Sequence, residues 1–285
     1  RQRQRQNMTK DKINNNLVYH NDLNCFTFKN FKAVDYNLFF TICYYASQNI
    51  KTSKNIIPIS LSFEQLRDFL PQEKNKKRFY ENVVEFALKL NNLKTSNLTL
   101  DNEGYRIYSV SSFFDEITVN EKEEKIVFKI KEKWLDLIVN VVREYTILDL
   151  RNFCKISNKY TKNLYRYLSQ WQGTGEFIIP FEKFNLLLDI PASYDIDKIE
   201  QRIIFPSIKL FKENNYFKNL EYIKEKDKTK QGQGGQVTTF TFTFDIPEER
   251  KDKTLALNKK WGRRRKTENI IPPPPTKRER IEVSF

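Results

Sequence analysis

A short helix, a turn, a longer helix and a two-stranded hairpin recur twice along the 285 residues, about 120 residues apart. A helix-turn-helix followed by a β-hairpin is the winged-helix arrangement, so the predicted fold class is α+β with two tandem winged-helix domains. Two observations carry this. Apolar periodicity switches from 3.6 to 2 at the same place in each half. Both units also open as strand into helix, at Ile57-Pro58-Ile59-Ser60-Leu61-Ser62-Phe63-Glu64-Gln65-Leu66 and at Phe177-Ile178-Ile179-Pro180-Phe181-Glu182-Lys183-Phe184. The expected domains are 13–143 and 144–247. They lie between a basic extension, 1–12, and a basic, proline-containing tail, 248–285, both expected to be disordered.

In the first unit, Val34, Leu38, Phe39, Ile42 and Cys43 predict a helix within 34–47. Ser62 and Gln65 have the spacing of a capping box for a short helix bearing Phe63, Leu66 and Phe69, which stops before Pro71. Phe79, Val83, Phe86, Leu90 and Leu93 follow at spacings of four and three, an amphipathic helix of about four turns. Asn97–Leu100 and Tyr105–Val110 flank a turn at Asp101–Gly104. A second hairpin is expected around Asn120–Glu124, with Ile126, Phe128 and Ile130 alternating after it. Trp134, Leu137, Ile138 and Val141 suggest a closing helix.

In the second unit, Asn158 is placed to cap a helix with Leu164, Leu168 and Trp171, ended by Gly173 and Gly175. A strand at Phe177–Pro180 follows, then a short helix with Phe181, Phe184 and Leu188, and a longer one with Ile196, Ile199, Ile203 and Leu210. Pro206 removes one backbone donor from that helix, so a kink or a fresh start is expected there. Tyr216–Lys224 and Gln236–Phe244 read as strands on either side of a polar loop, Glu225–Gly235.

The net charge of +14 favours a polyanionic partner, although much of it sits at the ends. Residues 1–12 hold five basic residues against one acidic, and 248–285 hold twelve against six. Met8 is the only methionine, so the Arg-Gln stretch before it reads as extraneous. With seven glycines, none followed by Lys, a phosphate-cradling P-loop is excluded. A single histidine, His20, cannot supply the His pair that metal-dependent DNA nicking uses. Cys25, Cys43 and Cys154 are scattered and odd in number, which suggests buried small residues instead of a zinc site or disulfides. No catalytic residue, metal or cofactor is therefore expected. Without a membrane-spanning run or a signal peptide, the chain is expected in the cytoplasm.

A recognition helix presents its N-terminal side chains to base edges in the major groove of duplex DNA. In the second unit the candidates are Ser193, Tyr194, Lys198, Gln201, Arg202 and Lys209, with Arg202 suited to guanine and Gln201 to adenine. In the first, Lys74, Asn75, Lys76, Lys77 and Arg78 crowd positive charge at a helix N-terminus. The macrodipole disfavours this unless something such as a phosphate compensates. A solvated basic turn would read the same. Lys226, Lys228 and Lys230 suit a wing on the phosphate backbone, or an ordinary surface loop. Lys159, Lys162 and Arg166 share one helical face, open either to phosphates or to water.

The second half also resembles a known family. Lys159-Tyr160-Thr161-Lys162-Asn163-Leu164-Tyr165-Arg166-Tyr167-Leu168 is similar to a segment of the theta-type, iteron-binding plasmid replication initiators. So are Leu188-Asp189-Ile190-Pro191-Ala192-Ser193-Tyr194, Arg202 and Phe205-Pro206-Ser207-Ile208. The resemblance spans about 30–245 and is strongest at 157–213. It implies binding to direct repeats at an origin, local strand opening and recruitment of host replication proteins such as an initiator and a helicase. It also implies a bacterial setting and autorepression as a homodimer. Asp195 and Asp197 stand where the family often has basic residues. A winged-helix transcriptional regulator without a replication role is the alternative.

Overall fold

The computed structural model describes residues 15–250 except 27, 51–57, 71–74, 92, 101–105, 140, 142, 228–234 and 249, and omits the side chains of 25 and 94–110. The extension, all of the tail except Glu248 and Arg250, and Lys74, Lys228 and Lys230 lie outside the described residues.

The two expected units share one topology. In the first, α1 (Ala33–Asn49) and β2 (Ile59–Ser62) lead into α2 (Phe63–Arg67) and α3 (Lys76–Asn91). Strands β5 (Phe114–Asn120) and β6 (Lys125–Ile130) then form the wing, and the sheet order is β2-β6-β5. In the second, α6 (Lys159–Gln170), β8 (Glu176–Pro180), α7 (Phe181–Leu187) and a segmented α8 precede β9 (Glu221–Asp227) and β10 (Gln236–Thr243). There the order is β8-β10-β9. In each sheet the strand before the short helix pairs with the last strand of the unit, as a winged helix requires.

Local chemistry sets most of the boundaries. The capping box is formed: the Gln65 N–H donates to Ser62 Oγ at 3.1 Å, and Gln65 Oε1 accepts from the Ser62 N–H at 2.9 Å. Asn158 Oδ1 accepts from the Tyr160 and Thr161 N–H groups and starts α6. Gly175 sits at φ +74°, where a Cβ would come within 2.7 Å of the Phe244 carbonyl, so only glycine allows β10 to close there. Helix α8 runs Ile196–Ile199, passes through a π-helical turn at Glu200–Ile204, and resumes at Phe205–Glu213 with Pro206 in its first turn. The expected disruption at the proline is thus a π-turn just before it.

The hairpin expected from Asn97–Leu100 and Tyr105–Val110 is formed by β3 (Lys94–Leu100) and β4 (Arg106–Ser112), a separate two-stranded sheet. Two other elements depart from expectation. The closing helix shrinks to α4 (Glu132–Leu135). Trp134 Nε1 donates to the Ser112 carbonyl at 3.0 Å, and the Leu137 carbonyl accepts from the His20 N–H, which turns the chain away from helix. The strand expected from Tyr216 begins at Glu221, because Asn215 and Asn219 at positive φ fold the preceding stretch into turns over buried Phe217 and Leu220.

Two short strands that no long periodic run announces bind the halves together. β1 (Asn16–His20) pairs antiparallel with β7 (Tyr145–Asp149), bridging the boundary expected between 143 and 144. Helix α5 (Leu150–Lys155), capped by Asp149, follows. Helix α1 is buried almost all round, between α3 on one side and α5 and α6 on the other. One continuous hydrophobic cluster therefore runs through both units. Cys43 and Cys154 are buried free thiols within it, and burial pushes the Cys154 thiol up to about 12.

Candidate nucleic-acid interface

The solvent face of α8 gathers the expected base-reading groups. Lys198, Gln201, Arg202 and Lys209 are exposed along it, while Ile199, Ile203, Ile204, Ser207 and Phe211 anchor the opposite face in the core. Ser193 and Tyr194 precede the helix, and the phenol of Tyr194 braces Arg202. Arg202 Nη1 donates to the Tyr194 hydroxyl at 3.4 Å, and the guanidinium lies 5.4 Å from the ring centroid.

Asp195 has a local explanation. It is the N-cap of α8: its Oδ1 accepts from the Lys198 N–H at 2.9 Å, and its Oδ2 pairs with Lys198 Nζ at 3.0 Å. The backbone N–H and then the ammonium of Lys198 hold its carboxyl below the ordinary value. An acid here complements the helix N-terminus, where a base would oppose the dipole.

The wing is tied to α8 through Glu200, which is buried at the π-turn. The Tyr222 hydroxyl donates to its Oε1 at 3.1 Å, and Lys224 Nζ meets its Oε2 at 2.7 Å. Burial, followed by the Glu200 carboxylate, drives the Tyr222 phenol up and keeps it a donor. Lys226 is exposed farther along the same strand.

The first unit is built differently. Lys76, Lys77 and Arg78 are exposed at the start of α3, but the compensation expected from a phosphate comes partly from the chain itself. Asn75 Oδ1 accepts from the Arg78 N–H, and Lys76 Nζ pairs at 3.1 Å with Glu124 in the wing turn. That turn holds Glu121, Glu123 and Glu124 against Lys122, so the first wing turn is acidic.

Two expected phosphate contacts are corrected. Lys162 and Arg166 are fully buried. Lys162 Nζ donates to Asn37 Oδ1 and to the Phe153 carbonyl, both at 2.5 Å. Arg166 Nη2 donates to the Tyr167 hydroxyl at 3.1 Å, and its guanidinium lies over the rings of Tyr167, Phe28 and Phe40 at 4.9, 5.1 and 5.8 Å. Spacing on α6 gives their shared face correctly. The partner of that face is α1, not DNA. Lys159, at the rim, pairs with Asp189 at 3.1 Å. His20 caps the 3-10 turn Asn21–Cys25 by accepting from the Asp22 N–H.

Sequence reasoning missed one residue on the α8 face. Phe205 is 51% exposed between Arg202 and Lys209. Periodicity assigns an aromatic residue to the core by default, and only the completed helix shows which way this one faces.

No helix among the described residues is long and apolar enough to cross a membrane. The family described as "Initiator Replication protein, WH1" matches residues 16–169. A probable replication protein rep of Bifidobacterium longum (strain NCC 2705) is 22% identical over 185 residues, 64% of this chain, and the chain spans 59% of that relative's length. Among solved structures, the Pi initiator protein in complex with iteron DNA aligns with a TM-score of 0.60 at 12% identity, covering 82% of this chain and 98% of that one. It shares the tandem winged-helix fold. With the matching family spanning more than half of its length, this chain belongs to the initiator replication proteins.

Proposed function

We propose that the chain initiates plasmid replication by binding direct repeats in origin DNA, opening the duplex nearby and recruiting host replication proteins. Its part is binding and remodelling, without chemistry on the DNA. The observation that carries this reading is the exposed stripe Lys198, Gln201, Arg202 and Lys209 on a helix clamped to a lysine-bearing wing. Side chains of these types meet base edges and phosphates in a major groove. Family membership and the likeness to an initiator solved on iteron DNA support the same reading.

The test is selection of duplexes from a random-sequence pool by the full chain at moderate salt. Arg202→Ala is expected to weaken binding of the selected duplex by about 1–3 kcal/mol and to relax preference at one base pair. Lys226→Ala should weaken all sequences evenly and flatten the slope of log K against log salt by about one charge. An Arg202→Ala protein that selects the same duplex with undiminished affinity would remove α8 from the role of reader.

A further inference from the structure

We propose that Phe205 is a specificity-determining residue that recognises the 5-methyl group of a thymine. The inference rests on the reading of α8 as the helix that enters the major groove. Singly exposed apolar residues are ordinary on protein surfaces. What sets Phe205 apart is its place. It is half-exposed in the middle of a polar stripe, with Gln201 and Arg202 one turn before it and Lys209 one turn after.

The ring is backed from one side. Tyr222 of β9 meets it at 6.4 Å between centroids and 78° between planes. Tyr222 is itself held by its hydrogen bond to Glu200 and by packing against Phe240 and Phe242 at 5.5 and 5.3 Å. The side chain therefore stands on a fixed aromatic base at the junction of recognition helix and wing. It carries no donor or acceptor, so it cannot answer the polar groups of guanine, cytosine or adenine. The one apolar group that the major-groove edge of a base pair presents is the thymine methyl. Burying that methyl against the ring would remove apolar surface of both partners from water.

Replacing thymine by uracil deletes only the methyl. The duplex selected by the full chain supplies the probe, with each thymine changed to uracil in turn and affinity read by fluorescence anisotropy. At one thymine the unaltered protein is expected to lose about four-fold, the transfer value of a single methyl group. Phe205→Ala, at a surface position that does not disturb the core, should bind more weakly and be indifferent to that same change. Phe205→Leu should recover part of the discrimination, and Arg202→Ala should retain it while losing preference at a different base pair. The inference is overturned if every uracil substitution affects the unaltered and Phe205→Ala proteins equally, including the case where Phe205→Ala loses affinity uniformly because the ring stacks on bases. The two levels fail separately. A chain that selects no duplex removes the proposed function as well. One that selects a duplex and loses preference with Arg202→Ala, yet shows no uracil position at which it and Phe205→Ala differ, removes only the thymine contact.

Discussion

Phe40→Ala is expected to lower stability by about 3–5 kcal/mol and to bring down both winged-helix units together. Phe40 is fully buried in α1, where its ring packs against Tyr19 at 5.6 Å, Phe39 at 5.2 Å and Phe153 at 5.2 Å. Tyr19 lies in β1 and Phe153 in α5, so the ring touches elements from both sides of the expected boundary. Removing it opens a cavity that neither unit can close alone. Total stabilities are commonly about 5–15 kcal/mol, so a loss of this size shifts thermal unfolding by many degrees. Calorimetry of the full chain checks it. One transition displaced as a whole is the expected trace. Two transitions, with only the earlier displaced, would mean that the units have separate cores.

The second large effect concerns Lys162 and pH. Burial holds its ammonium down to about 7 from the ordinary lysine value, with Cys154 opposing in part. Its folded value therefore lies below its unfolded one. Between the two, the unfolded chain binds a proton that the folded chain has shed, so stability rises with pH. From pH 7 to pH 9 the lysine's own contribution should rise by about 2 kcal/mol. From about pH 8 upward the buried thiols of Cys43 and Cys154 oppose it, because in the unfolded chain they ionise at the ordinary thiol value of about 8.5, and the net rise should flatten. Lys162→Met keeps much of the volume and removes the titrating group, so its urea midpoint should lose this upward slope. A pH profile between 7 and 9 that is the same in the unaltered protein and in Lys162→Met would contradict the assignment.

The same lysine shows where reading from sequence runs out. The helix-turn-helix and wing of each half were legible because they are local: a period change, a Ser-x-x-Gln cap, an Asn cap and strict alternation at Phe240, Phe242 and Phe244. The partner of a helix face is not local. Lys162, Asn163 and Arg166 look like a solvated edge of α6, yet Asn37, Tyr36 and the ring of Phe28, more than 120 residues away, enclose them. Nor does the pattern announce β1 and β7, five residues each, whose pairing is what brings α1 between the units. The exposed face of α8 was legible down to its polar residues, because Lys, Gln and Arg stand between the buried isoleucines. Phe205 was not, since on composition alone it belongs to the core.

The shared cluster around α1 has a consequence for the DNA. On the proposed reading, with α3 and α8 both facing DNA and joined through that cluster, the protein is expected to act as a gauge of helical phase. Duplex DNA turns once in about 10–10.5 base pairs. Inserting five base pairs between the stretches facing the two helices should therefore swing one groove to the far side and leave the chain holding by a single unit. Inserting a full turn would restore the facing but not the distance.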